Sequence, residues 1–171
     1  MLNRIYVLVL AMLLSSFALA DPSEVLKQKG ITLPKVDAPL ANYVKTVRAG
    51  KLVFTSGHVS VDVDGKAIKG KLGGAMTIEQ GQHAAKATAI QILASLQHEL
   101  GDLNKIKRIV KVLGMVNASP DFTEHSQVMN GFSDFMVDVF GDKGRHARSA
   151  VGMSSLPGNY ALEIEVIVEI E

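Results

Sequence analysis

Two charged residues near the C-terminus are of the right type and spacing to act together: Arg148, which opens the run 148–153, and Glu163, near the start of the run ending at Glu171. An arginine offers planar donors that match both oxygens of a carboxylate. A glutamate can take a proton from water or return one. The pair reads either as a small-molecule site, with Arg148 on a substrate carboxylate and Glu163 on a water, or as a cross-strand ion pair on a solvated face, which contributes little. The residues alone leave both readings open. Ser56, before Gly57 and His58, suggests a nucleophile, but no acid–base partner is placed by sequence and the nucleophile-elbow pattern is absent; a hydrogen-bond donor lining a pocket is the better reading. The five histidines (His58, His83, His98, His125, His146) show no metal-ligand spacing and read as surface or loop residues, with His146 alone standing near Arg148. Lys66, Lys69 and Lys71 form a basic patch without the interleaved aromatics of a nucleic-acid surface.

The elements that must position these residues follow from periodicity. In the final run Leu162, Ile164, Val166, Val168 and Ile170 alternate with Glu163, Glu165, Ile167, Glu169 and Glu171, a strand with one apolar face. The run 148–153 is a strand before the turn Leu156-Pro157-Gly158-Asn159, and a hairpin is expected to bring Arg148 and Glu163 to one end of the sheet. Upstream, 41–48 and 51–56 flank Gly50 as strands and 58–63 is a third, before a glycine- and lysine-rich excursion to Met76. Thr77 with Gln80 makes a capping box, and Ala85, Ala89, Ile92, Leu93, Leu96 and Leu100 form one apolar helical stripe ending at Gly101. Residues 106–117 are a long strand, and a second amphipathic helix runs from about Thr123 to Phe140. The order β-β-β-α-β-α-β-β fits one mixed sheet with two helices on one face. Its other face is then apolar and uncovered, as suits association with further copies of the chain.

Residues 1–20 carry a short positive start, an apolar run over 5–14 and Ala18-Leu19-Ala20 before Asp21, the pattern of a secretory signal cleaved after Ala20. The expected location is periplasmic or secreted, with no stable membrane insertion once the signal is gone. Residues 21–32 read as a leader arm rather than an element, with Pro34 and Pro39 following, and 33–171 as one domain. Residues 1–20 hold one arginine and no acid, so the remaining chain is balanced in charge, which argues against nucleic acid as a partner. With no cysteine there is no disulfide, no thiolate nucleophile and no cysteine metal site.

The stretches Ala41-Asn42-Tyr43-Val44, Phe54-Thr55-Ser56-Gly57, Val128-Met129-Asn130, Ala147-Arg148-Ser149-Ala150-Val151 and Leu156-Pro157 with Leu162-Glu163-Ile164-Glu165 together resemble the Rid family (YjgF/YER057c/UK114, or L-PSP), in its longer YjgF/chorismate-mutase-like branch. The resemblance runs from about Leu33 to Glu171. It implies a chorismate-mutase-like α/β fold, a homotrimer, and clefts between subunits where reactive enamines and imines are hydrolysed to keto acids and ammonia without cofactor or metal. Arg148 would grip the substrate carboxylate, Glu163 would activate water, and Tyr43, Ser56, Gly57 and Asn130 would line the pocket. The sequence departs from the deaminase branch at Ala150, where cysteine often stands, at Asn42, where proline is usual, and in the excursion after Gly57. Rival readings are a non-catalytic binder of a small carboxylate-bearing metabolite, an endoribonuclease and a structural interaction protein.

Overall fold

The computed structural model describes residues 21–38 and 41–171. The expected signal, 1–20, lies outside the described residues, as does Pro39.

The described residues open with a helix, α1 (Pro22–Gln28), where the sequence reading expected an arm. The Asp21 carboxylate caps it by accepting from the Ser23 N–H at 2.8 Å, Pro22 occupies the first turn and Glu24 complements the positive end of the dipole. Leu26 is buried, and Lys29 pairs with Asp138 at 2.8 Å, which holds α1 against the helix carrying Asp138. A sequence weighed by its downstream prolines hid this upstream capping signal.

Strands β1 (Thr46–Ala49) and β2 (Leu52–Thr55) form a hairpin over Gly50, whose φ of 61° suits glycine. Strand β3 is only His58–Val59, much shorter than expected. Helix α2 (Ile78–Leu100) starts on the expected capping box, with both reciprocal bonds between Thr77 and Gln80 present, and ends on left-handed Gly101. Strand β4 (Ile106–Asn117), helix α3 (His125–Phe140), strand β5 (Ala147–Met153) and strand β6 (Leu162–Ile170) complete the chain. The sheet order is β1-β2-β6-β4-β5, with β3 also paired to β6.

This order overturns the expected hairpin. Strand β5 pairs in parallel with β4, Arg148 lying opposite Val112, while β6 pairs antiparallel with the other edge of β4, Val166 opposite Val112. The physical reason lies in the preceding helix. Strand, helix and strand in succession form a β-α-β unit whose two strands run parallel, so β5 is committed to β4 before the chain reaches the Leu156 turn.

Both long helices cover one face of the sheet. Val112, Gly114 and Val116 of β4 and Leu162, Ile164 and Val166 of β6 point toward them and are buried. A Cβ at Gly114 would collide with Met129 of α3, and one at Gly131 of α3 would collide with the backbone of Gln82 in α2. The second contact, against backbone, therefore requires glycine, whereas at the first the Met129 side chain would have to move. Val128, Met129, Phe132, Phe135, Met136 and Val139 form the buried stripe of α3. The residues of alternate sense, including Leu113, Met115, Val151, Ile167 and Phe54, lie on the opposite face and stay partly exposed.

The excursion between β3 and α2 is tied down. Leu72 is fully buried and pairs across to Ala118, and the Lys71 Nζ donates to the carbonyls of Ala118 and Ser154. Lys69 stands 5.1 Å over the ring of Tyr160. Two of the three lysines of the sequence patch are thus engaged by the protein itself.

Candidate active site

Glu163 sits on β6 between Val59 of β3 and Met115 of β4, facing away from the helices. It is half-buried, and its carboxyl lies against Gly57, where any Cβ would collide with it. Burial, and secondarily the like charge of Glu165, raises its proton affinity above the ordinary glutamate range. A carboxyl shifted in this direction holds a proton more readily than an ordinary glutamate, which suits it to exchanging protons with water.

Beside it the chain leaving β2 is held closely. Ser56 N–H donates to the Lys45 carbonyl at 2.9 Å, and its Oγ is buried with no hydrogen-bond partner among the described residues. Such a hydroxyl costs free energy unless something in the cleft completes it. His58 corrects the sequence reading, because it is buried rather than at the surface. Its Nδ1 lies 2.8 Å from the Ser56 carbonyl and its Nε2 2.8 Å from Ser95 Oγ on α2. A carbonyl can only accept, so Nδ1 carries the proton and Nε2 accepts from the serine. Burial lowers the His58 pKa to about 4, with Lys45 adding to the effect against the Ser56 carbonyl. Sequence reasoning missed this residue, although Ser95 within the apolar stripe of α2 was a signal that a polar partner packs there.

Tyr43, Ser56, Gly57, His58, Glu163 and Glu165 line one open cleft of about 830 Å³, with Lys35, Lys45 and Tyr160 at its walls. Four of the expected site residues, Tyr43, Ser56, Gly57 and Glu163, are therefore brought together.

Arg148 and Asn130 are brought together elsewhere. Arg148 aligns with Val112, so it lies on the helix-covered face, half-buried under α3. Its Nη1 donates to Ser133 Oγ at 2.9 Å and to Asn130 Oδ1 at 3.1 Å, and its Nη2 donates to the Ser126 carbonyl at 3.2 Å. Two of the five guanidinium N–H groups remain without a partner among the described residues. Strand β4 separates Arg148 from Glu163, and the two side chains leave opposite faces of the sheet. Neither reading of the sequence holds within one chain: the two residues make no ion pair and share no cleft. Among the described residues no group of three or more histidines and carboxylates could hold a metal ion.

The fold and these positions can now be set beside known proteins. The family model described as "YjgF/chorismate mutase-like, putative endoribonuclease" matches residues 23–170. The chain belongs to this family. The match begins inside α1, and the mixed sheet with helices on one face is the family's chorismate-mutase-like fold. Protein TCP17 of Trypanosoma cruzi is 44% identical over 146 residues, covering 85% of this chain and 91% of that protein. The crystal structure of Atu1372 from Agrobacterium tumefaciens is 42% identical, with a TM-score of 0.81 and coverage of 88% and 94% of the two chains. A Shewanella oneidensis protein described as a "putative endoribonuclease" is 30% identical, with a TM-score of 0.84 and coverage of 88% and 99%. This YjgF-family chain thus keeps Arg148 and Glu163 on two separate surfaces of its sheet.

Proposed function

We propose that the protein hydrolyses 2-imino acids, or the enamines in equilibrium with them, to keto acids and ammonia in clefts completed between copies. Each cleft would take Glu163, Tyr43, Ser56 and Gly57 from one chain and Arg148 with Asn130 from its neighbour, as in a homotrimer. The observation that carries this reading is Glu163 itself, a half-buried carboxyl of raised proton affinity beside the unpartnered Ser56 hydroxyl in an open cleft.

Arg148 of the neighbouring copy offers the substrate carboxylate two N–H groups that have no partner among the described residues and thereby fixes the electrophilic carbon beside it. Glu163, as carboxylate, takes a proton from water while the water oxygen bonds to the imine carbon. The C=N electron pair moves onto nitrogen, which takes up the proton that Glu163 removed from water. The resulting carbinolamine expels ammonia as Glu163 carries the proton from its hydroxyl to the amine nitrogen, and the hydroxyl oxygen becomes the keto oxygen. Because Glu163 ionises above the ordinary glutamate range, the rate climbs with pH across that window.

The nuclease description attached to the family is less well supported. The cleft walls carry Lys35 and Lys45 beside Asp37, Glu163 and Glu165, so they lack the excess of positive charge that a polyanionic strand needs. Export directed by residues 1–20 belongs to the same proposal, and the mass of the protein recovered from the cell envelope tests it.

The deciding experiment generates imino acids in situ with an amino-acid oxidase and follows their decay to keto acid and ammonia. Wild-type protein should accelerate the decay, and Arg148→Ala should return it to the uncatalysed rate. Equal rates with wild type and Arg148→Ala overturn the reading.

A further inference from the structure

Behind the guanidinium of Arg148 runs a set of hydrogen bonds for which the proposed reaction has no use. Arg148 Nη1 donates to Ser133 Oγ at 2.9 Å. Ser133 Oγ lies 3.0 Å from His146 Nε2, and His146 Nδ1 lies 2.7 Å from the Gly144 carbonyl. That carbonyl only accepts, so Nδ1 is the protonated nitrogen. In the neutral ring Nε2 then offers a lone pair, and the Ser133 hydroxyl must point its proton there. This leaves the Ser133 oxygen facing Arg148 with lone pairs alone. Every donor in the chain points the same way, from guanidinium to Gly144, and each bond polarises the next.

Both ends of the chain are anchored. Gly144 is buried, and a Cβ on it would collide with the α3 backbone at Met136 and Val137, so the turn 141–144 lies flush on the helix and its carbonyl is fixed. The His146 ring packs edge-on against Phe132 with centroids 5.8 Å apart. Burial, helped by the Arg148 charge and opposed by the Gly144 bond, holds His146 below the usual histidine range and hence neutral. Asn130 Oδ1 and the Ser126 carbonyl take other guanidinium protons, but each can only accept. Ser133 is the one hydroxyl among the three acceptors, and His146 decides which way it points.

We propose that His146, acting through Ser133, is the positioning residue that aims Arg148 at an incoming carboxylate; this rests on the reading that Arg148 binds one. Without the lone pair on Nε2 the Ser133 hydroxyl turns, its oxygen no longer holds Nη1, and the two free N–H groups lose their direction.

The test uses pyruvate, a 2-keto acid, as the binding probe, followed by NMR titration, together with KM and kcat for imino-acid hydrolysis. His146→Phe keeps the ring against Phe132 and removes the acceptor. His146→Gln returns an acceptor amide oxygen. His146→Phe and Ser133→Ala should each weaken pyruvate binding about tenfold, the scale of one hydrogen bond to a charged group, and raise KM more than they lower kcat. His146→Gln should recover most of that loss, and the double variant should be no weaker than either single one, because both cut the same chain. Nitrogen-15 shifts of wild-type His146 should report the Nδ1-protonated tautomer. Pyruvate binding unchanged in His146→Phe but lost in Arg148→Ala overturns this inference and spares the functional reading. Pyruvate binding unchanged in Arg148→Ala overturns both. Equal losses in His146→Phe and His146→Gln, or the opposite tautomer, mark a purely structural histidine and overturn the inference.

Discussion

His58 shows how one side chain both shapes the cleft and makes the fold sensitive to acid. Its ring ties the Ser56 carbonyl on the cleft wall to Ser95 on α2, and burial keeps it neutral there. In the unfolded chain histidine protonates near pH 6.5, whereas in the fold the ring resists protonation until about pH 4. Between those values the unfolded state binds the extra proton, so stability is present above the upper value and drains away as pH falls toward the lower one. The full swing is about 3 kcal/mol. Urea unfolding of wild type should therefore weaken steeply on moving from neutral pH to about pH 4.5. His58→Gln, less stable at neutral pH, should lose this part of the slope. An unchanged slope in the variant would mean that His58 is not the acid-labile group. Glu163 has the opposite sense. A carboxyl whose pKa is raised on folding favours the folded state when protonated, so its burial is a cost at neutral pH that the cleft carries. Gly57 leaves room for the carboxyl in this geometry, since a Cβ there would push the Glu163 side chain aside.

At the scale of elements, the contact of α2 with α3 sets how closely the helices lie on the sheet. Gly131 meets the backbone of Gln82, and the Gln82 side chain donates to the Gln127 carbonyl at 2.9 Å beside it. Backbone cannot give way as a side-chain tip can. Gly131→Ala should therefore cost about 1 to 3 kcal/mol, the scale of overpacking in a close-packed interior, and lower the urea midpoint without changing its slope. A midpoint equal to wild type would show that the helices separate freely. The elements themselves were largely legible in the sequence because their signals are local. Thr77 with Gln80, Gly101, the Ile/Val run of β4 and the alternation of β6 each lie within a few residues of what they specify. Pairing is not local, and β5 carries nothing in its own residues to say that its neighbour is β4 rather than β6. The β-α-β succession carried that information, and the Leu156-Pro157-Gly158-Asn159 turn drew attention away from it. The site was legible in the same uneven way. Tyr43, Ser56, Gly57 and Glu163 were recognisable by resemblance and do share a cleft, whereas the partner of His58 lies 37 residues away on α2 and left only a serine in an apolar stripe as its trace.

The whole molecule leaves one sheet face open, with Phe54, Val151 and Val47 among its exposed apolar residues, and Glu163 lies on that side while Arg148 lies under α3. If active clefts form between copies, two crippled chains can repair each other. Arg148→Ala and Glu163→Gln should each be inactive alone. Refolded together at equal concentration they should regain about a quarter of wild-type turnover, the random share of interfaces in a closed symmetric ring that join an intact arginine to an intact glutamate. No recovery, in a sample whose native mass shows mixed assemblies, would mean that the two residues do not serve one cleft.

The separation of guanidinium and carboxyl by the thickness of a sheet also bears on kinetics. If both residues serve one cleft, a catalyst divided in this way has no unimolecular competence, and its rate per chain is governed by encounter. Serial dilution should make turnover fall faster than protein concentration once assemblies begin to part, and excess inert subunits added at that point should quench the remainder rather than leave it untouched.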